Sequence, residues 1–123
     1  MNNKKIGNDF EQEYAEILSE NGWWVTLLTP KRHIGSQPAD IIAVKNNKAI
    51  LIDCKTCESH LFPISRIEFN QRNAYKKFKE CGNDNYYLVI KYNKKIYKVN
   101  MKEIDFTQKN IDLERRTNEN NSF

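Results

Sequence analysis

Gln37-Pro38-Ala39-Asp40-Ile41-Ile42-Ala43-Val44-Lys45-Asn46-Asn47-Lys48-Ala49-Ile50-Leu51-Ile52-Asp53-Cys54-Lys55 is the stretch on which the fold turns. Two apolar runs, residues 39–44 and 49–54, have the length and branched content of strands. Only Lys45-Asn46-Asn47-Lys48 separates them, a short polar connection of the kind that closes a β-hairpin. A hairpin brings the start of its first strand beside the end of its second, so Asp40 and Asp53 are expected to meet in space. Side chains alternate along a strand, which puts Asp53 and Lys55 on one face and Ile52 and Cys54 on the other.

Two carboxylates forced together repel unless a proton or a cation lies between them. With Lys55 two residues further on, one reading is a divalent-metal site able to cut a phosphodiester. Magnesium takes oxygen ligands in near-octahedral geometry and asks for only one or two carboxylates. Asp40, Asp53 and the backbone carbonyl of Cys54 would suffice, with Lys55 placed to neutralise charge on the scissile group. The bland alternative is an Asp-x-Lys at a hairpin end with a structural role only.

Outward from the hairpin, Asn8 or Asp9 can cap a first helix running to about Glu20, with Phe10, Tyr14, Ile17 and Leu18 on its inner face. Asn21-Gly22 ends it, and Trp23 to Leu28 is a strand. Thr29 to Gln37 is a loop carrying Lys31, Arg32, His33 and Ser36 ahead of Asp40. Beyond Lys55, a loop from Cys57 to Phe62 leads to Pro63. Ser65-Arg66-Ile67-Glu68 has the pattern of a capping box opening a helix through Glu80, closed by Cys81-Gly82. Tyr86 to Tyr92 and Lys95 to Val99 form a second hairpin across Asn93-Lys94, and Met101 to Phe106 can make one helical turn. The order α-β-β-β-α-β-β describes an α/β domain, a mixed sheet with helices on its faces. It is expected over residues 1–106, with a polar tail, loosely helical or disordered, over residues 107–123.

At 123 residues, 39% of them hydrophobic and 29% charged, the chain can bury a core of its own. It lacks the roughly 20-residue apolar run that spans a bilayer, and its first residues have no signal-peptide pattern, so a cytoplasmic protein of a prokaryote or of a virus such as a phage is expected. Cys54, Cys57 and Cys81 are an odd number without a second pair. Cys54-x-x-Cys57 therefore reads as a buried small residue plus a bystander rather than as a zinc or redox motif. The net charge of +4 is unevenly spread: residues 61–102 hold ten Lys and Arg against three Asp and Glu. This block, which includes Arg66, Arg72 and Lys76, suits a polyanion such as nucleic acid, or is a solvated helix face and a lysine-rich hairpin.

Taken together, these residues resemble the PD-(D/E)XK nuclease superfamily, whose restriction-endonuclease-like core has the same α-β-β-β-α-β order. Pro38-Ala39-Asp40 is similar to the first signature with one extra residue, and Asp53-Cys54-Lys55 to the second in its aspartate form. Gly7-Asn8-Asp9-Phe10-Glu11 is similar to the family's Gly-x-x-Phe-Glu, and Gln71 to a glutamine in the helix after the lysine strand. Phe62-Pro63-Ile64-Ser65 followed by Gln71 looks most like RecU-type Holliday junction resolvases, and Gly35-Ser36 before Asp40 like the archaeal resolvases. The loop 29–37 is too short for the stalk of the RecU group.

The resemblance implies a magnesium-dependent endonuclease, with manganese able to substitute, acting on branched DNA in recombination and repair. Glu11, Asp40, Asp53 and the Cys54 carbonyl would hold metal, and Lys55 and Gln71 would position the nucleophile. Lys31, Arg32, Ser36, Arg66, Arg72 and Lys76 would contact DNA. Two symmetric cuts imply a homodimer. The rival readings are a restriction- or repair-type nuclease on duplex or flap DNA, and a nuclease fold that only binds DNA or protein. A surface role is the alternative for His33 and His60, and a helix-dipole role for Glu11.

Overall fold

A computed structural model describes residues 3–28 and 37–115, with side chains from Asp9 onward. The elements run α1 (Asn3–Glu20), β1 (Trp24–Leu27), β2 (Ile41–Lys45), β3 (Lys48–Thr56), β4 (Leu61–Pro63), α2 (Phe69–Glu80), β5 (Tyr86–Tyr92), β6 (Lys95–Asn100) and β7 (Asn110–Asp112). Single 3-10 turns cover Ile64–Arg66, Met101–Glu103 and Leu113–Arg115. The expected α/β order is present, with two short strands added.

β1-β2-β3-β5-β6 form one five-stranded sheet, antiparallel except where β3 pairs with β5. That parallel pairing requires a crossover, and α2 lies within it. Both hairpins close through two-residue turns with positive φ at each central position, Asn46-Asn47 and Asn93-Lys94. This is the type I′ geometry that matches strand twist, and asparagine tolerates it better than most residues. Gly22 and Gly82, at φ +89 and +95, end the two helices. In each case the next amide reaches back, Trp23 N–H to Leu18 O and Asn83 N–H to Phe78 O, so the last turn's carbonyls are satisfied.

Alternation along β3 sorts the core. Ile50, Ile52 and Cys54 pack with Phe10, Tyr14 and Leu18 of α1. Leu51 packs on the other face with Tyr86, Leu88, Phe62 and Ile67, against which Ala74, Tyr75 and Phe78 of α2 also pack. Asp53 lies on this second face, so the sheet's pleat, rather than any loop, fixes its direction.

Three local expectations are corrected. α1 begins at Asn3, before Asn8 or Asp9, so neither is its cap. α2 begins at Phe69, not after Ser65: Pro63 and Ile67 are extended and confine Ile64–Arg66 to one 3-10 turn. Capping falls to the next equivalent pair, with Glu68 N–H donating to Gln71 Oε1 at 2.9 Å. Finally, residues 107–115 are not a loose tail. β7 pairs with β4 in register Leu61↔Asp112 to Pro63↔Asn110, and Leu113 is fully buried in the core. The stretch expected as a loop between Cys57 and Phe62 accordingly contains the first part of β4.

Candidate active site

Asp40 sits where β2 departs from regular pairing. Ile41 registers with Ile52, yet Asp40 N–H also donates to Ile52 O, at 2.9 Å. Two consecutive residues thus face one across the ladder, the arrangement of a β-bulge, which re-aims a side chain. Asp40 Oδ2 accepts the Cys54 N–H at 2.8 Å, and Oδ1 accepts from Gln37 Nε2 at 2.9 Å. Leu28 N–H donates to Asp40 O at 2.8 Å, which ties β1 to the same point. Upstream, the Tyr86 hydroxyl donates to Pro38 O at 2.7 Å, and Asn70 Nδ2 donates to Gln37 O at 3.1 Å. The approach to Asp40 is therefore held by β5 and α2.

Asp53, 2% exposed, faces Asp40, as the hairpin argument requires. Lys55 Nζ lies 3.2 Å from Asp53 Oδ2. Glu11 reaches the same place from α1, half-buried against Asp40. Burial, then the charge of Asp40, raises the Asp53 carboxyl to about 8, with Lys55 pulling only partly the other way. The same two causes, burial first, raise Glu11 to about 7. Burial also pushes the Cys54 thiol well up, reinforced by the three carboxylates, so it stays a neutral apolar filler. Cys54 and Cys57 are free, and Cys57 Sγ donates to Ser59 O at 2.9 Å.

A cavity of about 300 Å³ opens over this cluster, lined by Glu11, Asp40, Asp53, Lys55, Glu68 and Gln71 among others. Gln71 is 7% exposed. Its Oε1 accepts from Glu68 N–H at 2.9 Å, and the residue lines the cavity. Of the basic residues, Arg66 donates to Thr56 O at 2.7 Å, beside the end of β3, and its guanidinium lies 5.0 Å from the Phe62 ring centroid. Arg72 stacks 4.1 Å from the Phe106 centroid, and Lys76 is exposed on α2. Lys31, Arg32, His33 and Ser36 lie outside the described residues. His60 belongs elsewhere: its Nδ1 is 3.1 Å from Asp112, a link between the β4 and β7 segments. Sequence reasoning missed Gln37, Glu68 and Asn70, which support or line the site. Their adjacency to Asp40 and Gln71 was the only signal available.

Among the described residues, no three His, Cys, Asp or Glu side chains are already drawn into coordinating spacing. The donor set nevertheless fits a hard divalent cation. Asp53 Oδ2 is buried with no hydrogen-bond partner, only the flanking ammonium of Lys55. Its neighbours are carboxylate oxygens, and the burial and repulsion that raise Asp53 and Glu11 are what a cation would relieve.

Comparisons with known proteins identify the family. The family model described as archaeal Holliday junction resolvase (hjc) matches residues 2–122. The chain is 26% identical over 110 residues to a crossover junction endodeoxyribonuclease Hjc of Methanocaldococcus jannaschii, covering 89% of this chain and 77% of that one. It is 35% identical over 82 residues to a UPF0102 protein of Dictyoglomus turgidum, covering 65% and 68% respectively. The solved Holliday junction resolvase Hjc of Archaeoglobus fulgidus shares the fold, with a TM-score of 0.66, 20% identity and 85% of each chain covered. Of the two resolvase groups that the motifs resemble, the archaeal one is thus the match, and the chain belongs to the archaeal Holliday junction resolvase family.

Proposed function

We propose that the chain is a divalent-cation-dependent endodeoxyribonuclease that cuts four-way DNA junctions. The observation that carries this reading is the cluster of Asp40, Asp53 and Glu11 beside Lys55, at the mouth of one cavity. Family membership supports the substrate. Asp40, Asp53 and Glu11, with the Cys54 carbonyl, would hold magnesium or manganese. Such a cation supplies Lewis acidity toward a phosphoryl oxygen and acidifies water.

The chain's own groups do the rest. Asp40 is fixed by Cys54 N–H and Gln37, so the acidic pair cannot swing apart as charge changes. Lys55 shares a face with Asp53 and offers an ammonium with three donors to the scissile phosphate and its incoming water. Gln71 is held in its cap and offers an amide to the same space. In this reading Arg66, Arg72 and Lys76 take phosphates of the DNA arms, giving a salt-dependent, largely sequence-independent affinity. Lys31, Arg32 and Ser36, ahead of Asp40 in the sequence, would join them.

Two opposed cuts require two sites, so the working form is a homodimer. Among the described residues no helix is long and apolar enough to cross a membrane. The free thiols suit the reducing cytoplasm, where we place the enzyme. The test is cleavage of a synthetic four-way junction in Mg²⁺ beside a linear duplex of the same sequence. Paired, junction-dependent cuts are expected; equal cutting of both substrates, or of neither, would count against the proposal.

A further inference from the structure

Phe69 is 82% exposed, the most exposed of the large apolar residues described. It stands at the first position of α2, directly after the capping residue Glu68. Nothing in helix chemistry asks for phenylalanine there: the position tolerates proline and favours acidic or small polar residues, and phenylalanine is a middling helix former. Nor does the core use it, since Ile67, Ala74, Tyr75 and Phe78 already serve the apolar face around α2.

Its place in the fold is particular. Glu68, Asn70 and Gln71, on both sides of it in sequence, line the cavity that holds Asp40, Asp53 and Lys55. Phe69 therefore sits beside the acidic site along the chain, with its ring exposed to solvent. Arg66 and Arg72 lie three residues before and three residues after it in the chain. Arg66 is anchored through Thr56 O next to the Asp53–Lys55 strand, and Arg72, three residues on, is braced on the Phe106 ring. Each guanidinium has a fixed seat yet remains on an exposed residue. A protruding aromatic with a seated cation three residues to either side in the chain, next to the cavity of the proposed cutting site, matches one ligand chemistry. That ligand is a nucleotide whose base has left its stack and whose flanking phosphates meet the arginines.

We infer that Phe69 is a stacking platform for an unstacked base at the branch point of the DNA, and so a specificity-determining residue for branched over linear substrate. The inference rests on the proposed junction-cutting reading. In uninterrupted duplex every base is already stacked, so the exposed ring gains nothing there. At a branch the bases on either side of the crossover lose a neighbour, and Phe69 offers a replacement face. Base–aromatic stacking of this kind is reduced about fivefold or more in affinity when the ring is removed.

The test uses full-length D53N as a cleavage-deficient background, with F69A and F69W added separately, in EDTA so that no cutting intervenes. Binding is measured to a four-way junction carrying 2-aminopurine at the branch and to a linear duplex of the same sequence. Because Phe69 is exposed, F69A is expected to keep the circular dichroism and melting of its parent. Expected results are junction affinity weakened about fivefold or more by F69A, duplex affinity changed less than about twofold, and rescue by F69W. The protein-dependent change in 2-aminopurine fluorescence should also be lost in F69A and kept in F69W. Unchanged junction binding, or an equal loss on both DNAs, overturns the inference while leaving the nuclease reading in place. If D53N prefers neither DNA and the parent cuts no junction, the proposed function fails and this inference with it.

Discussion

Replacing Asp53 by asparagine should make the metal-free protein more stable while removing its activity. Asp53 is 2% exposed, and its carboxyl is raised from 3.8 to about 8 by burial and by Asp40. A carboxyl whose folded value lies above its unfolded value contributes its full stability below the unfolded value. That contribution is lost as pH rises through the folded one. Metal-free stability should therefore fall steadily between about pH 4 and pH 8. At pH 7 the folded state holds a proton that the unfolded chain has released about three units lower, which at about 1.4 kcal/mol per unit costs roughly 4 kcal/mol. Glu11, raised to about 7, works in the same direction. Asparagine keeps the shape, needs no proton and removes one partner of the repulsion, although it gives up the contact with Lys55 at 3.2 Å. A net gain on the order of 2–4 kcal/mol at pH 7, shrinking to about 1 kcal/mol by pH 5, is expected. With a urea m-value of about 1.5 kcal/mol/M, a 3 kcal/mol gain moves the midpoint up by about 2 M. The assay is urea unfolding in EDTA at pH 5, 6, 7 and 8 for both proteins. A D53N protein no more stable than its parent at pH 7, or one with the same pH slope, would refute the electrostatic reading of the cluster.

Other substitutions probe separate parts of the site and the fold. Lys55→Ala should lower junction cleavage by about 100- to 1,000-fold, the scale seen when a preorganised charge-stabilising group is removed. Gel-shift affinity for the junction should stay nearly unchanged, and parallel loss of both would show that Lys55 only binds. Calcium should support junction binding without cutting, because its looser coordination and weaker Lewis acidity suit holding DNA better than hydrolysing it. Rapid cleavage in calcium alone would contradict the ligand set. Leu113→Ala should cost about 2–4 kcal/mol in urea unfolding, the range for a fully buried leucine. A loss below about 1 kcal/mol would mean that residues 107–115 are not part of the cooperative unit.

The central hairpin was legible because strand length, alternation and a short polar connection all agree, and Asp40 meets Asp53 for that reason. The second hairpin, across Asn93-Lys94, was legible on the same grounds. The bulge was not. Only the Ile52 carbonyl shows that Asp40 and Ile41 share one partner. The α2 start was misread because Ser65-x-x-Glu68 is the commoner capping pair. The Glu68-x-x-Gln71 pair three residues later wins because Ile67 is extended. Strands β4 and β7 have three residues each, too short for any period to register, and their pairing joins positions about fifty residues apart. Ile111 and Leu113, apolar residues in a polar stretch, hinted that the chain returns to the core. The site residues taken from motif likeness, Glu11 and Gln71, do line the same cavity as Asp40, Asp53 and Lys55. Gln37 and Asn70 escaped notice because their work is to hold Asp40's approach, a role without a sequence pattern.

Whether Glu11, Asp40 and Asp53 share a cation can be asked without DNA. Manganese binding to the purified protein, followed by electron paramagnetic resonance from pH 6 to 8.5, reads the cluster directly. Binding should tighten as pH rises, because the protons held by Asp53 and Glu11 must leave first, and it should be lost or much weakened in D53N. Binding that is independent of pH over that range and equally tight in D53N would place the ion elsewhere and remove the basis for the proposed chemistry.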